Sequence, residues 1–195
     1  MAQMIAERLK FSNGGGDLLS FALGIYGDEA VRTSCLHLQD SVDADVNVIL
    51  WGAWMSSVRH VHVDAALAAS AAARVSACHR DIVRNLRAVR VLLKHQAHAS
   101  MGEQAVRLRE TIKTVEIESE IIELNALAEF SRDLAGVPGT VPRTAEDIGL
   151  SIWAAAVGGS AHRADGNDRR AVEAIALAGM TWSAKLATHN ISGDV

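Results

Sequence analysis

Proline is almost missing from this sequence: 195 residues contain two, Pro138 and Pro142, so nothing before residue 138 carries the strongest helix breaker. Strict apolar–polar alternation long enough to require a strand is lacking as well. Cysteine is scarce, with Cys35 and Cys78 at no metal-ligand spacing, which excludes a disulfide framework or a zinc knuckle and fits a reducing compartment. No hydrophobic run approaches the roughly 20 residues that cross a bilayer, and the longest, Val48 to Met55, has the size of a core segment. The first ten residues mix Glu7, Arg8 and Lys10 with apolar neighbours, unlike a signal peptide. A surplus of basic charge is also missing. The 19 Lys and Arg against 23 Asp and Glu give a net charge of −4, which leaves no footprint for general polyanion binding. These absences predict a soluble, cytoplasmic protein with no membrane partner, and they disfavour nucleic acid as a partner.

What is present is apolar surface at helical spacing. Hydrophobic residues make up 49% of the chain against 22% charged, enough at this length for one main core. Asp17 is placed to cap a helix from Leu18 to Tyr26 that Gly27 closes, and the preceding Gly14-Gly15-Gly16 lacks the Lys and Ser/Thr of a phosphate loop. Asp28 is placed to cap a second helix to about Gln39, with Val31, Cys35 and Leu38 along one face. Asp43 is placed to cap a third to about Ser57, apolar almost all round, which belongs at the centre of the fold.

Two long segments follow. From Asp64, the positions Leu67, Ala71, Val75, Cys78, Ile82, Leu86, Val89 and Leu93 step by three and four, predicting one long helix or two collinear ones. A second seam runs through Met101, Ala105, Leu108, Ile112, Val115, Ser119, Ile122 and Ala126. Only His95 to about Ser100 separates them, so they should fold back as an antiparallel hairpin. Residues 136–143 hold both prolines and read as a linker between a main helical domain, 1–135, and a C-terminal helical pair, 144–195. That pair carries Ile148, Ile152, Trp153, Val172, Ile175, Met180 and Trp182, more than two helices can bury against each other. It should dock on the main domain or on a second subunit. The expected class is all-α: a helical bundle with a long antiparallel hairpin and a C-terminal helical pair.

Polar candidates for function cluster in two places. Gln39, Asp40, Asp43, Asp45 and Asn47 crowd the junction of two apolar helices, where oxygen ligands could orient a polar ligand or where the acids simply cap a helix. Glu116, Glu120 and Glu123 fall within roughly 60° of one another on the second long helix. Opposite them, Arg80, Arg84, Arg87, Arg90 and Lys94 form a basic stripe, so acids and bases are expected to face each other across the hairpin. The ligand-binding candidates are therefore Gln39, Asp40, Asp45, Asn47, Arg87, Glu116 and Glu120. No Glu-x-x-His pair of a di-metal bundle, no nucleophile elbow and no cofactor motif is present, so neither a metal nor a cofactor is expected and no catalytic residue can be assigned.

Leu19-x-Phe21-Ala22-Leu23-x-Ile25-Tyr26, Cys35-Leu36-x-Leu38-Gln39-Asp40, Ala44-Asp45-Val46-Asn47-x-x-Leu50, Leu86-Arg87-Ala88-Val89-Arg90-x-x-Leu93-Lys94 and the acidic run from Glu116 to Leu124 resemble an uncharacterised family of small proteobacterial helical proteins over roughly residues 17–127. The resemblance implies a domain of unknown function. The chain departs from that pattern at His79, where the family has an aromatic, and at Asn85, where it has a proline, which implies a straighter helix here. The predicted role is a non-catalytic helical interaction or scaffold protein that forms a homo-oligomer. The alternative is a helical ligand-binding protein or metal-dependent enzyme with a carboxylate-lined cavity.

Overall fold

The computed structural model describes residues 17–96, 102–134, 141–158 and 160–192. The glycine run at 14–16, the tip of the hairpin and most of the linker lie outside the described residues. Among the described residues every regular element is helical, giving an all-α bundle.

Helix α1, Leu18–Tyr26, starts where Asp17 Oδ1 accepts the Ser20 N–H at 2.7 Å, and α2, Glu29–Val42, starts where Asp28 accepts from Ala30 N at 2.8 Å. Helix α2 runs three residues past Gln39 because Asp43 ends it in the left-handed conformation (φ 55°), a region Asp tolerates better than most side chains. Asp43 is therefore spent as a C-cap. Capping of α3, Val46–Ser57, falls to Asp45, whose Oδ1 accepts the Asn47 N–H at 2.8 Å.

Helix α3 is the central rod: every residue from Asn47 to Ser57 is buried. Its packing is close enough that a Cβ added at Gly52 would lie 2.6 Å from the Ala155 Cβ and 3.3 Å from the Ser151 carbonyl oxygen. Trp51, fully buried, still satisfies its indole by donating Nε1–H to Ser131 Oγ at 2.6 Å.

The long hairpin consists of α4, Ala65–Cys78, a single turn of π-helix at His79–Val83, α5, Arg84–Gln96, and α6, Gly102–Phe130. In the π-turn the Arg84 N–H reaches the His79 carbonyl, five residues back. One additional residue is thereby absorbed, and the inward face steps on from Val75 to take in His79, Val83 and Arg87, with Val83 rather than Ile82 at its centre. Val83 is fully buried, whereas Ile82 and Val89 are 48% and 45% exposed. Helix α6 shows the matching displacement: Ala105 and Ser119 are buried as expected, but Leu108, Val115 and Ile122 face outward while Glu116 and Glu123 are buried. The two segments are antiparallel, since His79 meets Glu123 and Arg90 meets Glu116, but they meet along their charged edges.

Helix α7, Ala145–Val157, opens with a reciprocal capping box between Thr144 and Asp147 and packs on α3 and α4. Helix α8, Gly166–Ser192, packs on α2, α3 and α7. Ile148, Ile152, Val172 and Ile175 are buried by these contacts and Trp153, Met180 and Trp182 half-buried, while Leu150 and Leu177 on the same helices stay 58% and 50% exposed. Both cysteines are free thiols, and burial pushes the Cys35 thiol up to about 12.

Candidate functional site

The charged edges of the hairpin meet α2 and the start of α3 in one seam. The Arg87 guanidinium donates Nε–H to Glu116 Oε1 at 3.1 Å, Nη1–H to Gln39 Oε1 at 2.6 Å and Nη2–H to Glu120 Oε1 at 2.8 Å. Arg90 adds a two-pronged contact with both oxygens of Glu116. Burial alone would raise the Glu116 pKa, but hydrogen bonds from Arg90 and Arg87 outweigh it and hold the carboxyl below its ordinary value. At Glu120 the balance is reversed: burial raises the pKa more than Arg87 lowers it. Gln39, Arg87, Glu116 and Glu120 are thus brought together, and the guanidinium fills the space between the acids. Asp40 lies on the exposed side of α2 and does not join this cluster.

Asp45 and Asn47 belong to a neighbouring cluster. Asn47 is buried, and its Nδ2 donates to the Glu120 carbonyl at 3.3 Å and to Glu123 Oε2 at 2.6 Å, which joins the two clusters. The third partner is His79, at the first position of the π-turn. Its Nδ1 lies 3.0 Å from Asp45 Oδ2 and 3.6 Å from Glu123 Oε1. Neither contact has hydrogen-bond geometry, so His79 Nδ1 and Glu123 Oε1 are both buried without a hydrogen-bond partner. The Asp45 carboxylate first, then Glu123, nonetheless favour the imidazolium, and the His79 pKa is pushed up to about 9 against the opposing effect of burial. In the sequence His79 stood out only as a departure from a family pattern. Nothing there tied it to Asp45 or Glu123, because the contact depends on the register that the π-turn sets.

Two other arginines of the basic stripe are held elsewhere. Arg80 pairs with Asp81, and Arg84 pairs with Asp43, both on the surface. Asp168, buried in the first turn of α8, accepts from Ser41 Oγ at 3.1 Å and lies 2.9 Å from His37 Nε2, tying α8 to α2. An open groove of about 480 Å³ lies between α7 and α8, lined by Leu150, Trp153, Arg169 and Glu173 among others. None of the candidate residues borders it.

The arrangement defines a helical bundle whose hairpin is locked by internal ion pairs. The chain belongs to a family described as a protein of unknown function (DUF2390), whose model matches residues 17–127. That span includes α1 to α5 and most of α6. No curated protein and no solved structure matches the chain.

Proposed function

We propose that this chain is a helical interaction protein that associates with a second copy of itself through one face of the α5–α6 hairpin. The observation that carries the reading is the apolar stripe the π-turn leaves outside: Ile82 in the π-turn, Val89 on α5 and Leu108, Val115 and Ile122 on α6 are all substantially exposed. Arg87 and Arg90 face Glu116, so at about 100° per residue both sets lie roughly a quarter turn from the seam. In an antiparallel pair those quarter turns open to the same side. Ile82 and Val89 are seven apart, as are Leu108, Val115 and Ile122, the repeat of helices that pack on helices. These five positions bear no charge, so a twofold contact between two copies would bury no unpaired ion there. The internal pairing of Arg87 and Arg90 supports the same reading, because it removes basic side chains that a polyanion would need.

Light scattering at about 10 µM tests the proposal, a concentration at which a contact of ordinary dimer affinity is populated. Twice the chain mass is expected for the wild type. The chain mass is expected for Val115→Glu combined with Ile122→Glu, with the helical circular dichroism unchanged. A wild type that stays at the chain mass would overturn the reading.

A further inference from the structure

We propose that the chain binds one divalent transition-metal ion on Asp45 Oδ2, His79 Nδ1 and Glu123 Oε1, where the start of α3, the π-turn and α6 meet. The site is independent of the self-association reading and shares no residue with the apolar stripe.

Convergence is the first support. The three atoms converge, with His79 Nδ1 3.0 Å from Asp45 Oδ2 and 3.6 Å from Glu123 Oε1, separations that ligands about 2 Å from a common ion adopt. The second support is the lack of any other partner. Glu123 has no exposed side-chain surface, yet its Oε1 accepts no hydrogen bond, and the buried His79 Nδ1 beside it meets only the Asp45 and Glu123 carboxylates. Buried polar atoms almost always make hydrogen bonds, so two that make none and are aimed at one point leave room for a ligand between them. The third support is how the other carboxylate oxygens are occupied. Asp45 Oδ1 takes the Asn47 backbone N–H at 2.8 Å, and Glu123 Oε2 takes the Asn47 side-chain amide at 2.6 Å. Asn47 therefore orients both carboxylates and leaves each with its free oxygen turned inward, the way outer hydrogen bonds fix metal ligands.

One imidazole with two carboxylates suits Zn²⁺, Mn²⁺, Fe²⁺ or Co²⁺ better than Mg²⁺ or Ca²⁺, which take oxygen alone, or soft Cu⁺, which takes sulfur. Binding displaces the proton that Asp45 and Glu123 otherwise hold on His79, and with the imidazole neutral the two carboxylates balance the charge of a divalent ion. Asp45 and His79 keep 14% and 18% of their side-chain surface exposed, so the ion has an entry side and room for water beyond its three protein ligands. A comparable group, His37, Asp165 and Asp168, does not qualify. Its carboxylate oxygens already accept from His37, Ser41 and the backbone N–H groups of Asp165, Asn167 and Asp168, which makes it the cap of α8 and its tie to α2.

The test uses the full chain, stripped with a chelator, desalted and titrated with Co²⁺. Visible ligand-field bands saturating at one ion per chain are expected, with the thermal midpoint raised by saturating Zn²⁺. His79→Gln and Glu123→Gln should each weaken Co²⁺ binding at least about 100-fold, and Asn47→Ala about 10- to 100-fold. His37→Gln should leave it unchanged. If Glu123→Gln does not fold, the partly exposed His79→Gln carries the comparison alone. Either an absence of saturable cobalt bands in the wild type at about 100 µM, a generous excess over the affinities of built sites, or equal binding by His79→Gln would overturn the proposal.

Discussion

Arg87 spends its whole guanidinium on three acceptors from two helices, Gln39 on α2 and Glu116 and Glu120 on α6. Removing it strands carboxylates that are already desolvated, and breaking a fully buried pair costs about 3–5 kcal/mol. Here Arg90 still holds Glu116 and the Arg87 side chain is 24% exposed, so Arg87→Ala should cost nearer 2 kcal/mol in urea unfolding. Arg87→Lys should recover only part of that, because an ammonium cannot reproduce the planar fork. Asp168 gives the pH dependence. Burial alone would raise its pKa, but the Asp165 backbone N–H, His37 and Ser41 outweigh that and hold it below 3.8. A carboxyl depressed on folding stabilises the protein above its unfolded pKa and stops doing so as pH falls through the folded one. The unfolding free energy should therefore fall with acidification below about pH 4, and Asp168→Asn should show a smaller drop between pH 7 and pH 2 in parallel urea titrations.

At the scale of the element, the caps and the central rod were legible and two helical faces were not. Asp17 and Asp28 cap as their spacing predicts, because an N-cap is a local matter of one side chain and the N–H groups after it. The all-apolar run from Val48 to Met55 could only be central. Periodicity mispredicted the hairpin because it assumes about 3.6 residues per turn throughout, and the π-turn adds one. Past His79 the buried or half-buried positions are therefore Val83 and Arg90 where periodicity assigned Ile82 and Val89, while the assigned Leu86 and Leu93 stay half-buried. The same blindness hid the Asp45–His79–Glu123 cluster, whereas the pairing of Arg87 and Arg90 with Glu116 and Glu120 was readable because like residue types recur along both helices; Arg80 and Arg84 of the same stripe pair with Asp81 and Asp43 instead. Gly52 was read as one more member of an apolar run, but it marks where α3 and α7 touch. Gly52→Ala sets a methyl 2.6 Å from the Ala155 Cβ, so the helices must part, and thermal or urea unfolding should register a loss of about 1–3 kcal/mol.

For the molecule as a whole, the family match ends at residue 127, yet α3 is covered on one side by α7 and α8, which lie beyond it. A chain cut after Leu134 would lay bare the α3 surface around Gly52 that now meets Ser151, Ile152 and Ala155. Such a fragment should lose near-ultraviolet tryptophan dichroism and bind a hydrophobic dye, while the full chain does neither. The π-turn has a further consequence for how such chains can vary in length. Elsewhere in the hairpin, gaining or losing one residue would swing everything downstream by about 100° and carry arginines out of reach of their acids. Between His79 and Val83 the backbone already holds a surplus residue, so a sibling one residue shorter there could close an ordinary helical turn and keep the same angular setting beyond it. That turn is a tolerance joint, the one stretch of the α4–α5 rod where an indel can be silent.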